Sequence, residues 1–239
     1  MRFLRNILSD YFKIFVASTG SKRDLYDAAY AERMLTFSSR NSWRAEASFA
    51  LSDINLAPGS RALDVGCNNG TGMEFLCERL GVIFEGVDIS PPAIRLAKTT
   101  FPNSASRFHL YDGKNLPFDD AVFDLVCAMH VIGHVETPKN FLHEIMRVLK
   151  PGGKVIIITP NAHYKIFAIL DSISNKYRPD PTVLRYYSPR SLLKLVRDCG
   201  LIDVTCTTFG ERPLLLRPLP GRDYGRIRVV LNAAKPVIA

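Results

Sequence analysis

The stretch Leu63-Asp64-Val65-Gly66-Cys67-Asn68-Asn69-Gly70-Thr71-Gly72 decides how this chain folds. A short apolar run, Ala62–Val65, stops at a glycine, and Gly70–Leu80 continues as a helix. The pattern is a strand, a tight turn and a helix. In open α/β sheets ligands bind beyond the carboxyl ends of the strands, where such a turn lies. Gly66 and Gly70 carry no side chain, so the backbone there can approach a ligand. Asn68 and Asn69 belong to the residue type that best tolerates left-handed backbone angles.

Outward from the turn the alternation continues. Val82–Asp88 reads as a second strand, and Pro91–Thr100 as a helix with Ser90 at its N-cap and proline in its first turn. Arg107–Tyr111 and Phe123–Met129 are further strands, and Pro138–Leu149 is a helix. Lys154–Thr159 is a β-branched run that Pro151-Gly152-Gly153 separates from that helix. Ser188–Cys199 reads as a helix stopped by Gly200, followed by strands at Leu201–Phe209 and Arg226–Leu231. The expected fold is an α/β Rossmann-like sandwich. Its seven-stranded sheet is mostly parallel, with an antiparallel C-terminal pair and helices on both faces.

Two details turn the loop away from dinucleotides. Counting G-x-G-x-x-G from Gly66 puts Asn68 and Thr71 where glycines belong. Asp64 sets a carboxylate at the strand end, which repels a pyrophosphate but tolerates a ligand with an ammonium and a sulfonium. Asp88 follows Asp64 by 24 residues, about the interval at which an acid meets ribose hydroxyls. A carboxylate there accepts charge-assisted bonds from the diol; the other reading of Asp88 is a charge at a helix N-terminus.

Several segments in order carry a resemblance. Asp64–Gly70 resembles the D-x-G-x-G-x-G motif of class I S-adenosylmethionine-dependent methyltransferases, with Asn68 in place of the middle glycine. Asp88 falls on that family's second acid. Asp112-Gly113-Lys114-Asn115-Leu116-Pro117-Phe118 resembles its segment after the third strand, and Phe123-Asp124-Leu125-Val126 the opening of its fourth-strand motif. Leu142–Pro160, containing Leu149-Lys150-Pro151-Gly152-Gly153, is similar to its following helix and strand. The look is that of small-molecule O- and N-methyltransferases, including those of ubiquinone biosynthesis. The resemblance implies S-adenosylmethionine as cofactor and S-adenosylhomocysteine as product. It also implies cofactor contacts at Asp64, Gly66, Cys67, Gly70, Asp88, Ile89, Asp112, Gly113 and His130, with Tyr26 in a short aromatic segment, Tyr26–Tyr30, that closes over the cofactor in some relatives.

Methyl transfer needs alignment and exclusion of water, and a base when the acceptor is a hydroxyl. Histidine titrates near neutrality, so His134 and His130 are the catalytic candidates. His134 matches the histidine of a frequent "LEH" pattern and equally suits a structural hydrogen bond; His130 also suits a cofactor or substrate contact. Gly133 stands where the pattern has glutamate. The N/D-P-P-Y/F/W sequence by which nucleobase N-methyltransferases resemble one another does not follow the fourth strand. The segment 160–188 is rich in aromatics and reads as a lid, with His163, Tyr164 and Tyr186 as substrate contacts. Its Ile166, Phe167, Ile169, Leu170 and Ile173 fit core packing as well.

A net charge of +8 over 239 residues admits an anionic partner, but the basic residues are dispersed and form no long run, so nucleic acid is not expected. Five cysteines have neither CxxC pairing nor zinc spacing, which predicts no metal, reduced thiols and a cytoplasmic setting. Residues 1–17 place Leu4, Ile7, Leu8, Tyr11, Phe12, Phe15 and Val16 at helical spacing among Arg2, Arg5 and Lys13. Such a helix packs on its own domain, or makes weak contact with a membrane surface or a greasy substrate. The chain is expected to be one domain: a helical cap at 1–55, a cofactor core at 56–159, a lid at 160–188 and a C-terminal helix with strands at 189–239. The expected partner is a small-molecule methyl acceptor, apolar by this reading, with the protein a monomer or homodimer. The competing readings are an RNA or protein methyltransferase and a silent binding module on the same fold.

Overall fold

The computed structural model describes residues 42–162, 182–209 and 228–237. The elements are α1 (Ser42–Ala50), β1 (Arg61–Val65), α2 (Thr71–Leu80), β2 (Ile83–Asp88) and α3 (Pro91–Thr100). They continue with β3 (Phe108–Leu110), β4 (Phe123–Met129), α4 (Pro138–Val148), β5 (Leu149–Pro160), α5 (Pro189–Asp198), β6 (Ile202–Phe209) and β7 (Arg228–Ala234). Short 3-10 turns occupy Pro102–Arg107 and Ile132–His134.

One seven-stranded sheet runs in the order β3-β2-β1-β4-β5-β7-β6. β1 pairs in parallel with both β2 and β4, whereas β7 is antiparallel to β5 and β6. The expected architecture is the observed one. Strand order reverses between β1 and β4, so the crevice for a ligand opens where the Gly66 turn and the residues after Met129 emerge side by side.

The central strands are apolar on both faces, as buried parallel strands are. Leu63 and Val65 of β1, Val126 and Ala128 of β4 and Val155 and Ile157 of β5 face one way, against α4 and α5. Ala62, Leu125, Cys127, Ile156 and Ile158 face the other, where α1, α2 and α3 pack. Ser90 caps α3 by accepting from Ala93 N at 3.3 Å. Ser188 and Ser191 form a reciprocal capping box on α5. On the second face Trp43 of α1 meets Phe75 of α2 edge-on, with ring centroids 5.2 Å apart.

One expectation needs correction. Pro151-Gly152-Gly153 does not separate a helix from a later strand, because β5 begins at Leu149 and carries the triplet within it. Pairing with β4 passes from Phe123↔Leu149 to Leu125↔Lys154, so the triplet is an outward bulge. Gly152 sits at φ 76°, and a Cβ on Gly153 would lie 2.9 Å from Lys150 O. The turn-forming residues bend a strand whose two ends are both held by β4. The first seventeen residues, Tyr26, Tyr30 and most of the segment read as a lid lie outside the described residues.

Candidate functional site

The carboxyl ends of β1, β2 and β4 open into a cavity of about 1150 Å³. Its floor is the glycine loop. Gly66 N and Cys67 N both donate to Val87 O, at 2.7 and 3.0 Å, which ties the loop to the end of β2. Gly66, Asn68 and Gly70 all adopt positive φ, at 80°, 49° and 82°. Asn68 therefore holds the left-handed position expected of it, while Asn69 instead accepts from Thr71 N through Oδ1 at 3.2 Å.

The two glycines serve different neighbours. A Cβ on Gly66 would lie 2.4 Å from Val131 Cγ2, so this glycine lets the loop close against the residues after β4. A Cβ on Gly70 would lie 2.6 Å from Phe108 Cζ. Gly70 is packed under the β3 aromatic and does not line the cavity among the described residues.

Asp64 and Asp88 stand at the ends of β1 and β2, 3% and 8% exposed. Asp88 accepts from Asn68 N through Oδ2 and from Ser90 N through Oδ1, each at 2.9 Å. It thus braces the loop and the start of α3, and each oxygen keeps a lone pair for another donor. Burial nevertheless raises its pKa, against the pull of those backbone bonds. Asp64 has no hydrogen bond or ion pair among the described residues; burial first, and the neighbouring Asp88 second, push its pKa up to about 8. Asn68 Oδ1 and Asn69 Nδ2 are also buried with no partner among the described residues. Burial keeps Cys67 protonated by raising its thiol well above the ordinary value, which removes it as a nucleophile.

At the far end of the floor, Ile89, Asp112 and Gly113 line the cavity. Asp112 caps its own turn. Its Oδ1 accepts from Lys114 N and Asn115 N at 2.7 Å, and the Asn115 and Lys114 amides hold its pKa low.

The opposite wall follows β4. His130 adopts φ 60°, a conformation that costs a residue other than glycine roughly 1–3 kcal/mol and is found where function fixes it. Its Nε2 lies 2.9 Å from Oε2 of Glu46, a residue of α1 that is 4% exposed. Nε of Arg228, on β7, lies 3.4 Å from the same oxygen. The His130 and Arg228 contacts hold the Glu46 pKa below its ordinary value, although burial, the largest influence, acts in the opposite direction. His134 is held through Nδ1 by Thr182 Oγ1 at 2.8 Å. Gly133 accepts from Leu184 N and Arg185 N at 2.9 and 3.0 Å, and a Cβ on it would lie 3.0 Å from Arg185 O. The glutamate missing from this position is thereby explained: the strap at 182–187 docks on a residue that has no side chain.

The structure thus brings Asp64, Gly66, Cys67, Asp88, Ile89, Asp112, Gly113, His130 and His134 around one cavity. Tyr186 does not line it among the described residues, and Tyr26, His163 and Tyr164 fall outside them. His143 of α4 also lines the cavity. Trp43, Glu46 and Thr182 had no signal in the sequence, because each reaches the site from a segment remote in the chain. Among the described residues no cluster of His, Cys, Asp or Glu is arranged to hold a metal, and no helix is long and apolar enough to cross a membrane.

Residues 63–157 match the methyltransferase domain family. The chain is 31% identical over 165 residues to norajmaline N-methyltransferase of Rauvolfia serpentina, covering 67% of this chain and 52% of that protein. It is 27% identical to the ubiquinone biosynthesis O-methyltransferase of Azoarcus sp., covering 65% of this chain and 70% of that one. The chain spans about half or less of the length of the first curated relatives it matches. In fold it is similar to a SAM dependent methyltransferase from Aquifex aeolicus, at a TM-score of 0.59 and 16% identity, covering 89% of this chain and 99% of that one.

Proposed function

We propose that this chain, whose residues 63–157 match the methyltransferase domain family and whose fold is similar to that of a SAM dependent methyltransferase, transfers a methyl group from S-adenosylmethionine to an oxygen or nitrogen of a small, apolar metabolite. The carrying observation is Asp64: a buried carboxylate on the cavity floor with no cationic partner among the described residues. A carboxylate so placed is costly unless a ligand brings the counter-charge. The ammonium of the cofactor's methionine part supplies it. Asp88 offers its remaining lone pairs to the ribose diol, and the unpartnered Asn68 Oδ1 and Asn69 Nδ2 lie in the same loop. Ile89, Asp112 and Gly113 take the adenine end. These residues fit the cofactor by their chemistry.

Bound S-adenosylmethionine supplies a methyl group already activated on a sulfonium sulfur, so the protein's tasks are alignment and exclusion of water. The loop fixes one partner from below. The wall of Trp43, Met129, Val131, Val135, Phe141 and Ile158 gives the acceptor an apolar surface. His130 and His134 are the candidates for taking the acceptor's proton. His163, Tyr164 and Tyr186 of the lid, and Tyr26, belong to the same proposal, as does the division of one domain into cap, core, lid and C-terminal part. A cytoplasmic setting fits the five free cysteines. Weak contact of residues 1–17 with an anionic membrane surface is tested by co-sedimentation with vesicles. The protein's state as monomer or homodimer is tested by light scattering.

The deciding experiment is thermal stabilisation by S-adenosylhomocysteine. A ligand specific for the folded state raises the melting temperature by mass action. No shift at millimolar ligand would sink the cofactor assignment. Where the shift appears, a panel of phenols, amines and carboxylic acids identifies the acceptor atom.

A further inference from the structure

Three segments that are far apart in sequence meet at one carboxylate. Glu46 comes from α1, His130 from the end of β4 and Arg228 from the start of β7, and both contacts fall on the same oxygen, Oε2. Glu46 and His130 also line the cavity. Two costs coincide here: His130 is held at φ 60°, and Glu46 is a charge that is 4% exposed. A left-handed backbone at a residue other than glycine, braced by a buried ion, is the kind of strain found where a side chain must be aimed.

The chemistry at the carboxylate fixes the ring. Arg228 is a permanent cation, so Glu46 stays ionised and only accepts hydrogen bonds. The nitrogen facing it, Nε2, must therefore carry the proton, as in other carboxylate–imidazole pairs. In the neutral ring the remaining nitrogen, Nδ1, carries the lone pair, and it has no hydrogen-bond partner among the described residues. His134 differs, since its Nδ1 is engaged by Thr182 Oγ1.

We propose that Glu46 is a positioning residue that locks His130 as the Nε2–H tautomer, and that His130 Nδ1 is the base that accepts the acceptor's proton. The inference rests on the methyl-transfer reading. In the step, the acceptor's oxygen or nitrogen forms the new bond to the methyl carbon. The electron pair of the breaking carbon–sulfur bond stays on sulfur, and the acceptor's proton passes to Nδ1. Arg228 is the counter-ion that keeps Glu46 charged at the base of the site. The helical cap thereby contributes to catalysis through a side chain that never touches the acceptor.

The test is nitrogen-15 NMR of histidine-labelled full-length protein at neutral pH, with His130→Gln assigning the His130 signals. The wild type is expected to show a single Nε2–H tautomer at His130. Removing Glu46 alone strands a buried arginine, so the variant is the double replacement Glu46→Met/Arg228→Met, which substitutes apolar side chains for a buried pair at little cost in stability. It is expected to give a mixture of both tautomers. It should also lower kcat at least tenfold on the best acceptor among catechol, hydroquinone and an aromatic amine, with S-adenosylhomocysteine affinity within threefold. Glu46→Asp, which keeps the charge, should recover part of that loss. An Nδ1–H tautomer in the wild type overturns the proposal, as does a double variant with unchanged tautomer or unchanged kcat. Failure of S-adenosylhomocysteine to bind the wild type overturns the methyl-transfer reading instead, and the tautomer measurement reads the lock independently of it.

Discussion

The two sides of the cavity solve the problem of buried charge in opposite ways. On the loop side, Asp64 and Asp88 lie at the ends of neighbouring strands and no cationic side chain reaches Asp64 among the described residues. On the β4 side, several polar groups already have protein partners: Glu46 with His130 and Arg228, His134 with Thr182, Gly133 O with the strap amides. The first side is left unbalanced, and under the proposed function a cationic ligand completes it. The second is largely paired within the protein. A site that must bind one charged molecule tightly and then orient a second, less polar one needs both kinds of wall.

The two sides touch at Gly66 and Val131, and the largest effect is expected there. Gly66→Ala combines a positive φ with a Cβ 2.4 Å from Val131 Cγ2. It should lower stability by about 3 kcal/mol and abolish stabilisation by S-adenosylhomocysteine, as read from denaturant and thermal melts. A normal melt with intact ligand binding would mean that the walls do not need this contact.

Next in size is the unbalanced charge itself. In Asp64→Asn the cofactor loses a charge-assisted partner, and calorimetry should show affinity reduced about a hundredfold. The pH dependence sharpens the point. Asp64 has a folded pKa of about 8 against an ordinary 3.8, so between those values the folded chain holds a proton that the unfolded chain lacks. Its contribution to ligand-free stability is full below about pH 4 and is lost as pH rises toward 8. Asp64→Asn should remove that decline. A cationic ligand draws the pKa back down, so wild-type affinity should strengthen from pH 6 to 8 and that of the variant should not.

Asp88→Asn should act on both fold and ligand, because the carboxylate holds Asn68 N and Ser90 N. The expected loss is about 1–2 kcal/mol of stability with a roughly tenfold weaker ligand, from paired melts and titrations. Asp88 is for this reason not a side chain whose removal leaves the loop unchanged. The smallest effect belongs to the balanced side. Thr182→Val should cost about 1 kcal/mol, leave S-adenosylhomocysteine binding intact and lower turnover of the acceptor. Unchanged turnover would assign the His134 bond to strap docking alone.

Legibility divides along the same line. The loop side is built from near neighbours in sequence or from adjacent parallel strands, so residue type and spacing sufficed for Asp64, Gly66 and Asp88. Ser90 was readable as a cap because a cap is a local bond. Gly70 was read as a point of approach to a ligand, whereas it packs under the Phe108 ring, which belongs to another strand. Pro151-Gly152-Gly153 looked like a break because turn chemistry is local, while the strand that carries the bulge is held by β4. On the β4 side the sequence offered two histidines with several roles each. Glu46 lies 84 residues from His130 and reaches it only because α1 packs on the second face of the sheet.

The sequence by itself determined the order of strands and helices, the turn at Gly66–Gly72, and the acids at Asp64 and Asp88. Each follows from periodicity, backbone freedom or spacing within one β-α-β unit. Only the tertiary structure decided that Gly66 meets Val131, that the strap closes on Gly133, and that Glu46 and Arg228 converge on His130. Those contacts depend on β4 lying beside β1 and β7 inserting next to β5, and no short stretch of residues carries that information.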